Sequence, residues 1–225
     1  MTERSFLRWG GASAVLGGAL ALIGNGLHPR FGDLDSAVEY QRIARSGSWT
    51  TVHFVILVAV ILVTVGFVAI ARDAGNAPDA AWARAGGVFA TVGGAVGVVY
   101  TLVDGFAFRQ LARGFSSSGQ EFVSAYWGAQ AVDWIQNYLF AGFAFLFLGV
   151  TPLLLGLSQR ARVKWLGVAG GAVTAAAGLM EFFDANQTAD DILFAIGSVV
   201  VTIWALVAGV GLWRSNAPEA VAATT

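Results

Sequence analysis

The chain of 225 residues is 56% hydrophobic and only 12% charged, with a mean hydropathy of +0.68, which leaves too little polar surface to coat a soluble globule. Lipid, not water, must be the solvent for most of it. A net charge of -1 and a pI near 6.1 give no electrostatic case for nucleic acid, and the absence of cysteine excludes disulfides, thiolate metal sites and a cysteine nucleophile.

In chain order, six apolar runs lie near Trp9 to Leu27, Val52 to Ala71, Ala85 to Val103, Tyr138 to Leu157, Trp165 to Phe183 and Ile192 to Trp213. Each approaches or reaches the roughly 20 residues that cross a hydrocarbon core of about 30 Å at 1.5 Å per residue. The predicted fold is therefore all-α: one polytopic membrane domain over residues 1–215, a bundle of six transmembrane helices, with a disordered tail at 216–225. Arg4 and Arg8 followed by an apolar stretch containing Ala19-Leu20-Ala21 share the layout of a signal peptide, but the stretch is read as a retained first helix. After the first run, Ser36 to Arg45 predicts a short surface helix capped by Asp35 or Ser36 and ended near Gly47. Between the third and fourth runs, Ser116 to Gly119 reads as a turn, and Gln120 to Asn137 continues the helical pattern into the fourth span. The spacings Gly93 to Gly97 and Gly167 to Gly171 suit close helix packing in lipid.

The basic residues set an expected orientation. With the amino terminus cytoplasmic, eight of the thirteen (Arg4, Arg8, Arg72, Arg84, Arg160, Arg162, Lys164 and Arg214) lie inside in short segments, and Arg30, Arg42, Arg45, Arg109 and Arg113 lie outside. This is the arrangement the positive-inside rule prefers, with both termini cytoplasmic in the cell membrane. Both histidines and ten of the fourteen acids then fall at the outer ends of the spans, so chemistry is sought there.

Of those acids, Asp33, Asp35, Glu39 and Glu121 read as loop charges, Asp184 as the end of the fifth helix, and Asp190 and Asp191 as residues favoured by the macrodipole at the start of the sixth. Asp104, Asp133 and Glu181 differ, because aromatic and aliphatic neighbours surround them. An ionisable group in such a setting costs several kcal/mol unless it is paired or faces a cavity. These three are the candidate catalytic acids, with His53 as partner; the bland alternative is that they snorkel to water or pair with arginine. His28, before Pro29, and His53, in the first turn of the second span, are brought to the same face by the loop that joins them. They are candidate metal ligands, for zinc, iron or manganese together with one or two carboxylates. The same residues also suit neutral imidazoles hydrogen-bonded to Asp104 or Glu181, and haem held by the two histidines is a further option. The cofactor stays unknown: acid-base chemistry requires none, and a divalent metal fits the residue types.

Missing motifs narrow the field further. The sequence has no Walker loop, no dinucleotide fingerprint, no His-Glu-x-x-His and no Gly-x-Ser-x-Gly elbow. Its single lysine, Lys164, lies on the inner side and excludes a retinal Schiff base in a helix core. From Leu139 to Trp213 a glycine-rich helix, a basic turn and a Trp165-Leu166-Gly167-Val168 opening of another small-residue helix ending in acids follow one another. With Asn25-x-x-His28-Pro29, this pattern resembles a family of six-helix bacterial and archaeal integral membrane proteins without an assigned activity. The resemblance implies a six-helix fold and no particular chemistry.

Two function classes follow. One is an enzyme acting on a lipid or isoprenoid-like substrate by proton donation similar to that of terpene cyclases. Asp104, Asp133 or Glu181 would hold the proton and His53 or a carboxylate would accept one, while Tyr100, Phe106, Trp127 and Trp134 shape the substrate pocket. The other is a non-catalytic membrane protein that binds a metal or small ligand, or a small carrier. Carriers commonly use broken helices, and here Pro152 alone interrupts a span. The expected partners are membrane lipids and an apolar small molecule, with no nucleic acid.

Overall fold

The computed structural model describes residues 2–29, 37–76, 80–114, 120–159, 162–185 and 187–216. Among the described residues there is no strand, and six helices are long and apolar enough to cross a membrane: Glu3–Leu27, Trp49–Asp73, Ala80–Arg113, Val123–Ser158, Lys164–Phe182 and Thr188–Ser215. This is the architecture of a multi-pass membrane protein. By element, the helices are α1 (Glu3–Leu27), α2 (Ala37–Arg45), α3 (Trp49–Asp73), α4 (Ala80–Leu102), α5 (Arg109–Arg113), α6 (Gln120–Phe143), α7 (Thr151–Ser158), α8 (Lys164–Phe182) and α9 (Gln187–Ser215). Two π-helical segments, Val103–Phe108 and Ala144–Val150, join α4 to α5 and α6 to α7. The expected turn at Ser116 to Gly119, the cap at Asp35 or Ser36 and most of the tail lie outside the described residues.

The six spans form a ring in chain order, closed by α9 returning to α1. Small residues let the backbones approach in lipid, where packing rather than hydrophobicity holds helices together. On α1, Gly10, Gly17 and Gly24 recur every seven residues and face α3. A Cβ on Gly10 would fall 2.1 Å from the Ala69 Cβ, and one on Gly17 would fall 2.8 Å from the Val63 backbone nitrogen. The adjacent Gly11 faces α9, with Gly209 O and Trp213 N each 2.7 Å from its virtual Cβ. That contact places the start of α1 beside the end of α9, at one end of the bundle. Gly93 and Gly97 both back onto the fourth span, against Phe147 and Phe143, whereas Gly167 meets Trp204 and Pro152 while Gly171 meets Gly149 and Leu153. Phe67, Phe147 and Trp204 fill the ring's centre, with Phe67 ring centroids 5.3 Å from Phe147 and 5.5 Å from Trp204.

Several polar groups within the spans find partners in their own helix or a neighbouring one, since an unpaired one costs several kcal/mol in hydrocarbon; among the described residues Gln136 Oε1 is buried without one. Thr64, Thr101, Thr174 and Thr202 each donate to the carbonyl four residues back, and the Trp204 indole donates to Gln159.

The expectation that Pro152 is the one interruption is corrected by the two π segments. The second directly precedes Pro152, whose ring would clash with the carbonyl four residues back in a regular helix. The wider turn relieves that clash, and both the Thr151 amide and its hydroxyl bond Leu146 O. The first π segment has no proline to explain it; it carries Asp104. Short π insertions occur often at functional positions.

The predicted surface helix is present as α2. Its Tyr40 and Ile43 are buried in a second apolar cluster with Trp49, Phe108, Ala112 and Ala129, while Arg42 and Arg45 face outward. This cluster roofs the bundle at the end opposite the start of α1 and the end of α9.

Candidate functional site at the far end of the bundle

Four spans carry an exposed tryptophan near the end where α1 starts and α9 finishes: Trp9, Trp82, Trp165 and Trp213. Such belts mark the headgroup level. Twenty residues of helix, about 30 Å of rise, lead from Trp82 to Leu102 and from Trp213 to Leu193; from Arg72 the same count reaches Val52, and from Trp9 α1 runs to Leu27, just before His28. His28, His53 and Asp104 therefore lie about one span length from the tryptophan level, and Asp190 a turn further out.

At that level His28, His53 and Asp104 converge, each offering one donor atom, all within 4.8 Å of one another. His28 Nε2 and His53 Nε2 are 3.2 Å apart, and His53 Nε2 is 3.0 Å from Asp104 Oδ2. Local sequence explains the convergence. Pro29 bars its predecessor from the helical region, so His28 leaves α1 in an extended conformation with φ -61° and ψ 124°. His53 stands four residues after Trp49, whose carbonyl accepts from its Nδ1 at 2.7 Å. Asp104 is aimed inward by the π segment, and Gly105 lets α3 come close: a Cβ there would lie 2.3 Å from that of His53. His53 is 1% exposed and Asp104 5%.

Trp49 organises the three. Its ring lies 4.5 Å from His53 and 5.4 Å from His28, and its indole N–H donates to the Asp104 carbonyl at 3.2 Å. Arg109, the first residue of α5, donates from Nη2 to the Ser46 carbonyl at 2.7 Å and from Nη1 to the Thr50 hydroxyl. Reading the sequence missed Trp49, Gly105 and Arg109. The Trp49-x-x-x-His53 spacing, one helical turn, was the available signal for the first.

The other expected site residues lie elsewhere. Glu181 shares a cleft with Phe140, Asp190, Asp191 and Phe194, and that cleft encloses about 10 Å³, the space of a single water. Asp190, expected as a helix-start acid, is indeed in the first turn of α9 but is 5% exposed. Asp184 ends α8 with φ 47°, as expected. Asp133 is buried on the inward stripe of α6 with Gln130 and Gln136, and does not join the histidines. Tyr100 packs on Phe140 and Phe143, with its polar end within electrostatic reach of Asp104 and of Glu181. Phe106 is half-buried in the π segment. Trp127 and Trp134 are 63% and 61% exposed; seven residues apart on α6, they share its outward face and line no pocket with the His–Asp cluster.

Fold and cluster together define a class, a helical multi-pass membrane protein with a His–His–Asp constellation at one end of its spans, His28 half-buried and the other two buried. No protein-family model, no curated protein and no solved structure matches the chain, so the chemistry rests on geometry.

Proposed function

We propose that this protein binds a divalent transition-metal ion through His28 Nε2, His53 Nε2 and Asp104 Oδ2, at the outer face of a membrane with both termini cytoplasmic. The observation that carries this reading is the hydrogen-bond bookkeeping of His53. Its Nδ1 faces a carbonyl, which only accepts, so Nδ1 holds a proton. In the neutral ring, Nε2 then presents a lone pair, yet it faces both a carboxylate oxygen at 3.0 Å and a second imidazole nitrogen at 3.2 Å. One proton on Nε2 satisfies only one of these two contacts. A cation between the three donors satisfies all of them, and an Nδ1–H to carbonyl bond is the usual outer support of a metal-ligating histidine. Two of the three separations, 3.0 and 3.2 Å, come near the roughly 3.3–3.4 Å edge of a tetrahedron built from metal–ligand bonds of about 2.0–2.1 Å, and the third pair, within 4.8 Å, closes towards that edge when an ion binds.

The donor types suit zinc, iron or manganese, and three protein ligands leave at least one position for water. The alternative, an acid-base enzyme for an isoprenoid-like substrate, draws on the same His53–Asp104 pair. Its other candidate acid, Glu181, has beside it a cleft of only about 10 Å³, against the roughly 300–1,000 Å³ of a substrate pocket.

The test is metal analysis of the purified protein, followed by zinc titration calorimetry and cobalt absorption spectroscopy. One equivalent is expected, lost in a His28→Ala, His53→Ala double variant. Asp104→Asn should weaken binding by more than the roughly 10–100-fold that removing an outer partner costs. Stoichiometric metal that survives in the double variant, or no binding by the wild type, overturns the proposal.

A further inference from the structure

We infer that Arg109 is a positioning residue for the metal site, setting the separation of His53 from Asp104 by clamping the two elements that carry them. The inference rests on the metal-binding reading above.

The two donors come from different helices and meet only if those helices are held in register. Asp104 lies in the π segment, and Arg109 is the residue that follows it. The guanidinium of Arg109 reaches across to α3 and grips it at two points, the Thr50 hydroxyl in its first turn and the Ser46 carbonyl in the linker from α2. Thr50 is three residues before His53, about one helical turn. The planar fork is what permits two fixed bonds at once; a lysine ammonium is a point donor on a flexible stem. Among the described residues the Nε of Arg109 is buried without a partner, so its hold depends on the two terminal nitrogens.

A second tie between the same elements, from the Trp49 indole to the Asp104 carbonyl, holds the backbone of Asp104 from the other side. Arg109 supplies a further anchor beyond the segment, and it also fastens the α2 linker over the site. Metal–ligand distances tolerate about 0.2 Å, so loosening this clamp should be felt at the ion before it is felt by the fold.

The experiment compares wild type, Arg109→Gln, Arg109→Lys and Thr50→Val by zinc calorimetry and by the cobalt absorption spectrum, alongside thermal unfolding in the same detergent. Outer partners of metal ligands are worth roughly 10–100-fold in affinity. Arg109→Gln should lose that much while keeping a one-to-one stoichiometry and shifting the cobalt bands. Arg109→Lys should recover part of the loss, and Thr50→Val should show a smaller loss of the same kind. If Arg109→Gln fails to fold, Thr50→Val carries the test. Wild-type affinity and an unchanged cobalt spectrum in Arg109→Gln, or in Thr50→Val where the former cannot be made, refute the positioning role and leave the metal reading standing. A wild type that binds neither zinc nor cobalt removes both.

Discussion

Replacing Gly105 by alanine should uncouple metal binding from stability. The added methyl carbon would sit 2.3 Å from the His53 Cβ, 2.7 Å from its Cγ and 3.1 Å from its Cδ2, whereas unstrained carbon contacts fall near 3.5–4.0 Å. The two helices must therefore part by more than an ångström, because the nearest atom is anchored to the α3 backbone and cannot swing away. Overpacking of this kind costs about 1–3 kcal/mol. Against it stands the greater helix propensity of alanine, worth up to about 1 kcal/mol over glycine, so the net loss of stability is about 0–3 kcal/mol. The ion has no such compensation: a displacement over an ångström is several times the roughly 0.2 Å that coordination tolerates, and His53 would leave its range. Zinc affinity should fall at least as far as the roughly 100-fold upper figure for an outer partner, while the thermal transition moves by only a few degrees. Calorimetric titration and thermal unfolding of Gly105→Ala in one detergent read both quantities. Near-wild-type zinc affinity would refute the close approach of Gly105 to His53 as a condition of the site, and an unfolded protein would mean that the strain is far larger than reckoned.

Reporter fusions after residue 160 should report a cytoplasmic location and fusions near residue 119 an external one; the reverse pattern would invert the orientation drawn from the arginines. Because Trp127 and Trp134 face outward from α6, the Trp127→Leu, Trp134→Leu double variant should keep wild-type zinc affinity to within a few-fold, as surface substitutions usually stay within about 0.5 kcal/mol. A tenfold loss on titration would place those rings against the site after all.

What the sequence determines by itself is the architecture. Span length and hydropathy are local properties, and a membrane enforces them because every backbone group must be satisfied within its own helix. The six spans, the amphipathic α2 and the helical entry to the fourth span are accordingly legible from residues alone. The pairing of His28 with His53 is nearly so, since one hairpin returns the chain to the same face and Pro29 turns the first histidine out of its helix. The third member of the cluster is not. Asp104, Asp133 and Glu181 have alike apolar neighbours, and their separation depends on which helix packs on which. The ring order brings α4 beside α3, a π turn with no proline to announce it rotates Asp104 inward, and Gly105 admits His53. Meanwhile α8 and α9 put Glu181 next to Asp190 in a cleft of their own. Helical phase hides the rest: Trp127 and Trp134 share a face of α6, but only the packed bundle decides that this face looks outward, whereas Trp49, unremarkable in the sequence, is turned onto both histidines by the contact of α3 with the π segment.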